Sequence, residues 1–268
     1  MNRYRRFARA IGAAMLVASS GCGSNMTRWS SVGPGGLDPA RLPLGTDTMS
    51  TWRNPKRPAL HNGIPWDSTW SPPAGDGWIS EGERVVTVRH QDTKAGYVVE
   101  LIDDGRRAVG QERSMVDAQF SATTLRPIRM HSEEPDHGSA TDFVLMDSRI
   151  AELPSGEGFK DTVFNNYPDG AFTSWELDLV LRSLPLEEGY RVSLPLYYPF
   201  SYSHETVPVE VDGQDFVRTR EGTTHQCWRI TVRLRGNTPD WFWVDTSTRE
   251  LIRAVSQDDA GAVWVETR

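Results

Sequence analysis

Trp228, Ile230, Val232 and Leu234 alternate with Arg229, Thr231, Arg233 and Arg235. This period of two turns one set of side chains toward a core and the other toward water in an antiparallel strand. β-Branched and aromatic runs of the same kind, broken by Gly, Asp and Pro, recur from Glu81 onward. They predict strands over Val85 to His90, Tyr97 to Asp103, Gln111 to Val116, Ile128 to Ser132, Asp142 to Leu153, Val207 to Val211, Phe216 to Arg220, His225 to Arg235, Trp241 to Asp245, Leu251 to Val255 and Val263 to Glu266. Asp103-Asp104-Gly105 and Asp212-Gly213 fit hairpin turns, in which Gly relieves the positive φ that such turns demand.

One segment follows a helical period instead. Thr173-Ser174-Trp175-Glu176 has the form of a capping box, and Trp175, Leu177, Leu179, Leu181 and Leu184 follow before Pro185 stops the run. A helix so apolar around its circumference must be enclosed by sheet. No second helix of comparable strength and no internal repeat is visible, so the fold class is mainly β around one main helix.

The N-terminus reads as an address. Basic residues in Met1 to Arg9 precede the apolar run Ala10 to Ala18, and Ser19-Ser20-Gly21-Cys22 follows, which is the layout of a bacterial export signal. The small residues before Cys22 resemble the lipobox of bacterial lipoproteins, although Ser19 stands where an aliphatic residue is usual. That resemblance implies cleavage before Cys22 and lipid attachment to its sulfur. The alternative is ordinary cleavage after Ser20 or Gly21, which yields a soluble periplasmic or secreted protein. Gly23 follows the Cys where an inner-membrane retention signal places Asp, so the resemblance to bacterial lipoproteins implies the outer membrane.

Residues 1–21 are thus read as signal and 22–80 as a lipid-anchored tether, with a domain from 81 to 268. Eight Pro and seven Gly between Met26 and Ser80 give the tether its extended character. Trp29, Trp52, Trp66, Trp70 and Trp78 lie in the same stretch. Solvated linkers seldom hold such side chains, so part of it, Trp66 to Trp70 above all, is expected to lie against the domain.

With 268 residues, 38% of them hydrophobic, the chain has material for one full core. A net charge of -7 excludes the basic balance of a nucleic-acid binder. Only Cys22 and Cys227 could pair, and a lipidated Cys22 leaves Cys227 as a small buried hydrophobe. His131, Glu133, Glu134, Asp136 and His137 crowd together, but Pro135 and Gly138 mark a solvated hairpin tip rather than a zinc knuckle. The pairs Glu187-Glu188 and Asp258-Asp259 read as solvated ends, and His61, His90, His204 and His225 have no ligand-like neighbours. No nucleophile elbow, metalloprotease helix, phosphate loop or dinucleotide fingerprint is present. No cofactor or metal is expected.

A set of local motifs carries a family resemblance. They are Thr124-Leu125-Arg126-Pro127, Gly189-Tyr190, Gly213, Gly222-Thr223, Cys227-Trp228-Arg229, Trp243-Val244-Asp245, and Thr248-Arg249 before Leu251-Ile252-Arg253. From about Gly82 to Arg268 the chain resembles an uncharacterised bacterial envelope family, a domain of unknown function whose fold is similar to the lipoprotein carriers LolA and LolB. The resemblance implies a curved antiparallel sheet, an open half-barrel, wrapped around the helix, with an apolar concavity. The carriers cover that concavity with several helices, and this chain offers one.

Two functional classes follow. In the first, a non-enzymatic envelope lipoprotein binds a lipid or another apolar ligand, with Trp175, Trp228, Ile230, Val232, Leu234 and Trp243 lining the concavity. In the second, the core is filled and the protein is an assembly or interaction module. An envelope hydrolase is a distant third, because no catalytic motif supports it.

Overall fold

Ile230 and Val232 are fully buried, as their alternation requires, and the strand that holds them is one of sixteen hydrogen-bonded into a single sheet. The computed structural model describes residues 30–31, 36–55, 77–93, 96–107, 114–134, 139–146, 148–155, 161–234, 239–257 and 261–268. The expected export signal, Cys22 and the expected docking segment Trp66 to Trp70 lie outside the described residues. The strands are β1 (Ser30–Ser31), β2 (Gly45–Asn54), β3 (Ile79–Thr93), β4 (Gly96–Arg107), β5 (Ser114–Ser121), β6 (Pro127–Glu134), β7 (Ser139–Met146), β8 (Arg149–Ser155), β9 (Val163–Asn166) and β10 (Phe172–Thr173). Helix α1 (Leu177–Ser183) follows, and then β11 (Arg191–Tyr198), β12 (Ser203–Arg218), β13 (Thr224–Arg233), β14 (Pro239–Asp245), β15 (Leu251–Gln257) and β16 (Val263–Thr267).

The spatial order runs β1-β11-β12-β13-β14-β15-β16-β2-β3-β4-β5-β6-β7-β8-β9, with β10 also on β11. Pairing is antiparallel throughout except for β1 and β10 on β11. The path has two ends, so the sheet is not a closed barrel. One apolar cluster nevertheless joins Met49 of β2, Val88 of β3, Leu101 of β4, Phe120 of β5, Phe143 of β7, Ile150 of β8, Leu194 of β11 and Ile230 of β13 to Leu179, Val180 and Leu181 of α1. Strands so far apart in the order can share a core with one helix only if the sheet curls around it.

The tether reading fails at β2. This strand lies inside the sheet between β16 and β3, with Thr51 opposite Glu266 and Met49 opposite Arg84. Its sequence, Gly-Thr-Asp-Thr-Met-Ser-Thr-Trp-Arg-Asn, buries Met49 and Asn54 while the other positions are polar or half-buried. No run of apolar residues therefore announces it, and the domain begins well before residue 81. Trp78 also belongs to the folded part, packed against a second apolar cluster.

Both expected hairpin glycines lie within strands instead. Gly105 pairs with Arg84 on one side and Ser114 on the other, and a Cβ there would meet the Ser114 Oγ at 3.0 Å. Glycine here permits close approach of two strands. Gly213, at φ +143°, sits at a register shift in β12, so Asp212-Gly213 is a bulge and the two strands expected around it are one. Conversely, the run Asp142 to Leu153 is two strands, folded back at Ser148 so that Leu145 faces Ile150.

Strand β11 contains Pro195, which argues against a strand in the sequence. On the side away from β12, β1 pairs at Val192 and Ser193 and β10 at Leu196 and Tyr197. Pro195 falls in the gap between these two short partners, where no ladder hydrogen bond is lost.

Candidate functional site

Helix α1 lies inside the concavity. All seven of its residues are buried. Only half of the expected capping box forms: the Thr173 backbone N–H donates to Glu176 Oε1 at 2.7 Å, but the Thr173 hydroxyl donates to Oε2 rather than accepting from a helix N–H, and Glu176 is itself the residue before the first turn of α1. Glu176 is completely buried, and desolvation pushes its carboxyl up to about 8 despite these bonds. Asp178 and Arg182, both buried, face each other one turn apart at 3.7 Å.

Five of the six residues expected to line a cavity pack into the interior. Trp175 is buried edge-on against Phe143, with centroids 5.2 Å apart. Ile230 and Val232 are in the main cluster, and Trp228 and Leu234, partly buried, pack against it. Trp243 is on the opposite face. It pairs with Arg229 across β13 and β14, whereas Trp228 pairs with Val244 and Ile230 with Phe242, and cross-strand partners share a face. Trp243 joins Val217, Cys227, Trp241, Ile252, Val255, Val263 and Val265 in the second cluster. These strands are therefore apolar on both sides, a feature that β13 with its alternating arginines does not advertise.

The open ends of the sheet approach one another at a seam. Tyr202, just after β11, donates its hydroxyl to Glu152 of β8. Tyr167, just after β9, meets Tyr197 of β11 edge to face at 5.2 Å, and its own hydroxyl donates to the Ala171 carbonyl. Burial raises the Glu152 carboxyl and pushes the Tyr197 phenol up to about 12. Side chains rather than a backbone ladder span the seam. Strand β9, which no expectation included, forms one lip.

On the outer face of β5 to β7 the structure gathers part of the histidine and acid cluster. His131 and Glu133 are strand residues of β6, not a turn, while Asp136 and His137 lie outside the described residues. His131 Nδ1 is 3.1 Å from Asp142 and Nε2 is 2.9 Å from Glu133, and Arg129 donates to the same Asp142 oxygen at 2.8 Å. Burial pulls the imidazole down, but the two carboxylates outweigh it and hold His131 above its usual value. Among the described residues no group of three or more His, Cys, Asp or Glu is placed to hold a metal ion.

Nucleophile candidates have the wrong surroundings. Cys227 is buried, and desolvation followed by the nearby Asp245 charge pushes its thiol up to about 12, far from a reactive thiolate. His225 Nδ1 lies 2.9 Å from Asp245, but the Ser247 hydroxyl donates to that carboxylate rather than facing the imidazole. Glu187, Glu188, His90 and His204 are exposed, and Asp258, Asp259 and His61 lie outside the described residues.

Comparison with known proteins places these features in a family without an assigned activity. The pattern of a family described as a protein of unknown function (DUF3108) matches residues 66–266. A solved structure, a beta-barrel-like protein of domain of unknown function DUF1849 from Brucella abortus, is similar at 11% identity, covering 84% of this chain and 96% of that one with a TM-score of 0.41. No curated protein matches the sequence.

Proposed function

Since the chain belongs to the DUF3108 family of proteins of unknown function, we propose that it is a non-enzymatic lipoprotein of the cell envelope that acts as an interaction module. The observation that supports this reading is the helix seated in the concavity: α1 is buried along its whole length and packs with the inward apolar residues. A module of this kind works through its surface. The envelope setting is supported by the signal-like N-terminus and by Cys22 behind small residues. The competing reading is a lipid or other apolar ligand held in the concavity beside α1, as likeness to LolA and LolB implies.

Native mass spectrometry of the full chain taken from its own membrane tests both parts. The expected spectrum shows an acylated Cys22 at the N-terminus and no retained apolar molecule. A stoichiometric non-covalent lipid overturns the module reading, and an unmodified chain in the soluble fraction overturns the anchor.

A further inference from the structure

Arg182, in the last turn of α1, is only 3% exposed, yet among the described residues its Nε and Nη2 have no hydrogen-bond partner. Asp178 stands one turn back, but Nη2 and Asp178 Oδ2 are 3.7 Å apart, beyond the length of a hydrogen bond. The other oxygen, Asp178 Oδ1, is likewise buried with no partner among the described residues. Buried polar groups are ordinarily satisfied, and a buried charge with unmet donors is costlier than a neutral group. Burial pulls the Arg182 guanidinium below its usual value, more than the charges of Asp178 and Asp47 raise it. Capping the helix is not its task, because Arg249 Nη1 donates to the Leu184 carbonyl at 3.0 Å.

The surroundings show which charges are already matched. Asp47 of β2, Arg84 of β3 and Arg268 lie close enough to act on Arg182. Arg84 is opposite Met49, a core residue, so both point into the concavity. Arg84 donates to Glu266 at 3.1 Å, and Arg268 is held by Asp47 and Glu250. Arg84 and Arg268 keep 14% and 19% exposure, so solvent comes up to the cluster from their side. The unmet groups are the Arg182 donors and the Asp178 acceptor. Nε and Nη2 form one planar side of the guanidinium, whose parallel N–H bonds fit two oxygens of a carboxylate or phosphate. Asp178 Oδ1 calls for a donor in addition. An ionised carboxylate has no proton to give, whereas a phosphate that keeps one P–O–H offers two acceptors and a donor at once.

We propose that Arg182 and Asp178 form a binding site for a phosphoryl group, with the Nε–Nη2 side of Arg182 donating to two of its oxygens and Asp178 Oδ1 accepting from its hydroxyl. A free phosphate or phosphomonoester carries this chemistry, and so does a lipid with a phosphomonoester head. The site goes beyond the module reading and does not rest on it.

The full chain is titrated by calorimetry with orthophosphate, with sulfate and with a short-chain phosphatidic acid, at about pH 6, near the second ionisation of phosphate esters. Saturable binding of orthophosphate is expected, with sulfate, which carries no proton, weaker by about tenfold or more. Arg182→Lys keeps the charge but loses the planar fork, and it should weaken phosphate by about tenfold. Asp178→Asn, whose amide N–H can donate to an oxyanion, should bring sulfate up to the affinity of phosphate. Phosphatidic acid binding that Arg182→Lys weakens, with orthophosphate silent, supports the site and assigns its source to a lipid head. No saturable binding of either phosphate probe, equal binding of phosphate and sulfate, or binding unchanged by Arg182→Lys would overturn the proposal. The phosphate and sulfate comparison uses the unsubstituted chain, so the test stands even if a variant misfolds. A non-covalent lipid in the native spectrum removes the module reading and leaves the orthophosphate result untouched, so the two failures are distinguishable.

Discussion

The indole N–H of Trp243 donates to Asp215 Oδ2 at 3.0 Å, and Arg229 reaches the same oxygen at 3.1 Å from the neighbouring strand. Arg229 is also held by Asp212, whose carboxylate takes the Thr231 hydroxyl as well. The face of β13 expected to be wet is thus a polar network laid over a second apolar cluster.

Replacing Asp215 leaves a buried indole N–H without its acceptor and Arg229 with one partner fewer. Asp215→Ala should destabilise the fold by about 1–3 kcal/mol in chemical denaturation, and Trp243→Ala by about 3–5 kcal/mol. Arg233→Ala, at an exposed position of β13, should stay within about 0.5 kcal/mol. Equal losses at Asp215 and Arg233 would refute the network.

Glu176 gives stability a pH dependence of unusual sign. Its carboxyl is raised from 4.5 to about 8 in the folded chain, so folding favours the protonated form. That contribution is complete below pH 4.5 and is lost as pH rises through about 8. Denaturation midpoints should fall across this window in the wild type and fall less in Glu176→Gln, which keeps a neutral side chain at all pH values. Parallel profiles would show that Glu176 is not the group responsible.

His131 and Asp142 act in opposite windows. The imidazole is raised above 6.5, so its contribution is present below that pH and lost as pH climbs through the folded value. Burial alone would raise the Asp142 carboxyl, yet the bonds from Arg129 and His131 lower it, so its contribution is lost as pH falls through the folded value. An NMR titration should place the His131 midpoint above 6.5 and move it downward in Asp142→Asn. A midpoint unmoved by that substitution would mean that the pair does not interact in solution.

Strand β2 makes the N-terminal region indispensable. A chain beginning at Gly77 exposes the facing edges of β16 and β3 and loses Met49 from the core, so it should aggregate or bind a hydrophobic dye strongly. A chain beginning at Gly36 should melt cooperatively. Cooperative melting of the shorter chain would show that β2 is dispensable.

What the sequence reveals depends on how many faces of a segment touch apolar partners. Ile230 and Val232 declare themselves by alternation, and Thr173 and Glu176 declare the helix by the spacing of a capping box. Strand β2 hides because its inward positions include Asp47, held by Arg268, so an ion pair takes the place of an apolar side chain. Trp243 faces away from the concavity because its orientation follows from pairing with Arg229, a register that no single strand records. Strand β9 is four residues long, and its place at one end of the sheet is known only from the strand order. His131 and Asp142 likewise meet through the register of β6 and β7.

The pairing of Thr51 with Glu266 also sets an order of events. On the ribosome, β2 emerges long before β16, and the neighbour on its other side, β3, cannot by itself cover it. The sheet is completed only after most of the chain has been made, which is a slow, high-contact-order closure. Until then the nascent polypeptide has little reason to lock into a finished form, because the core strand β2 lacks one of its two neighbours.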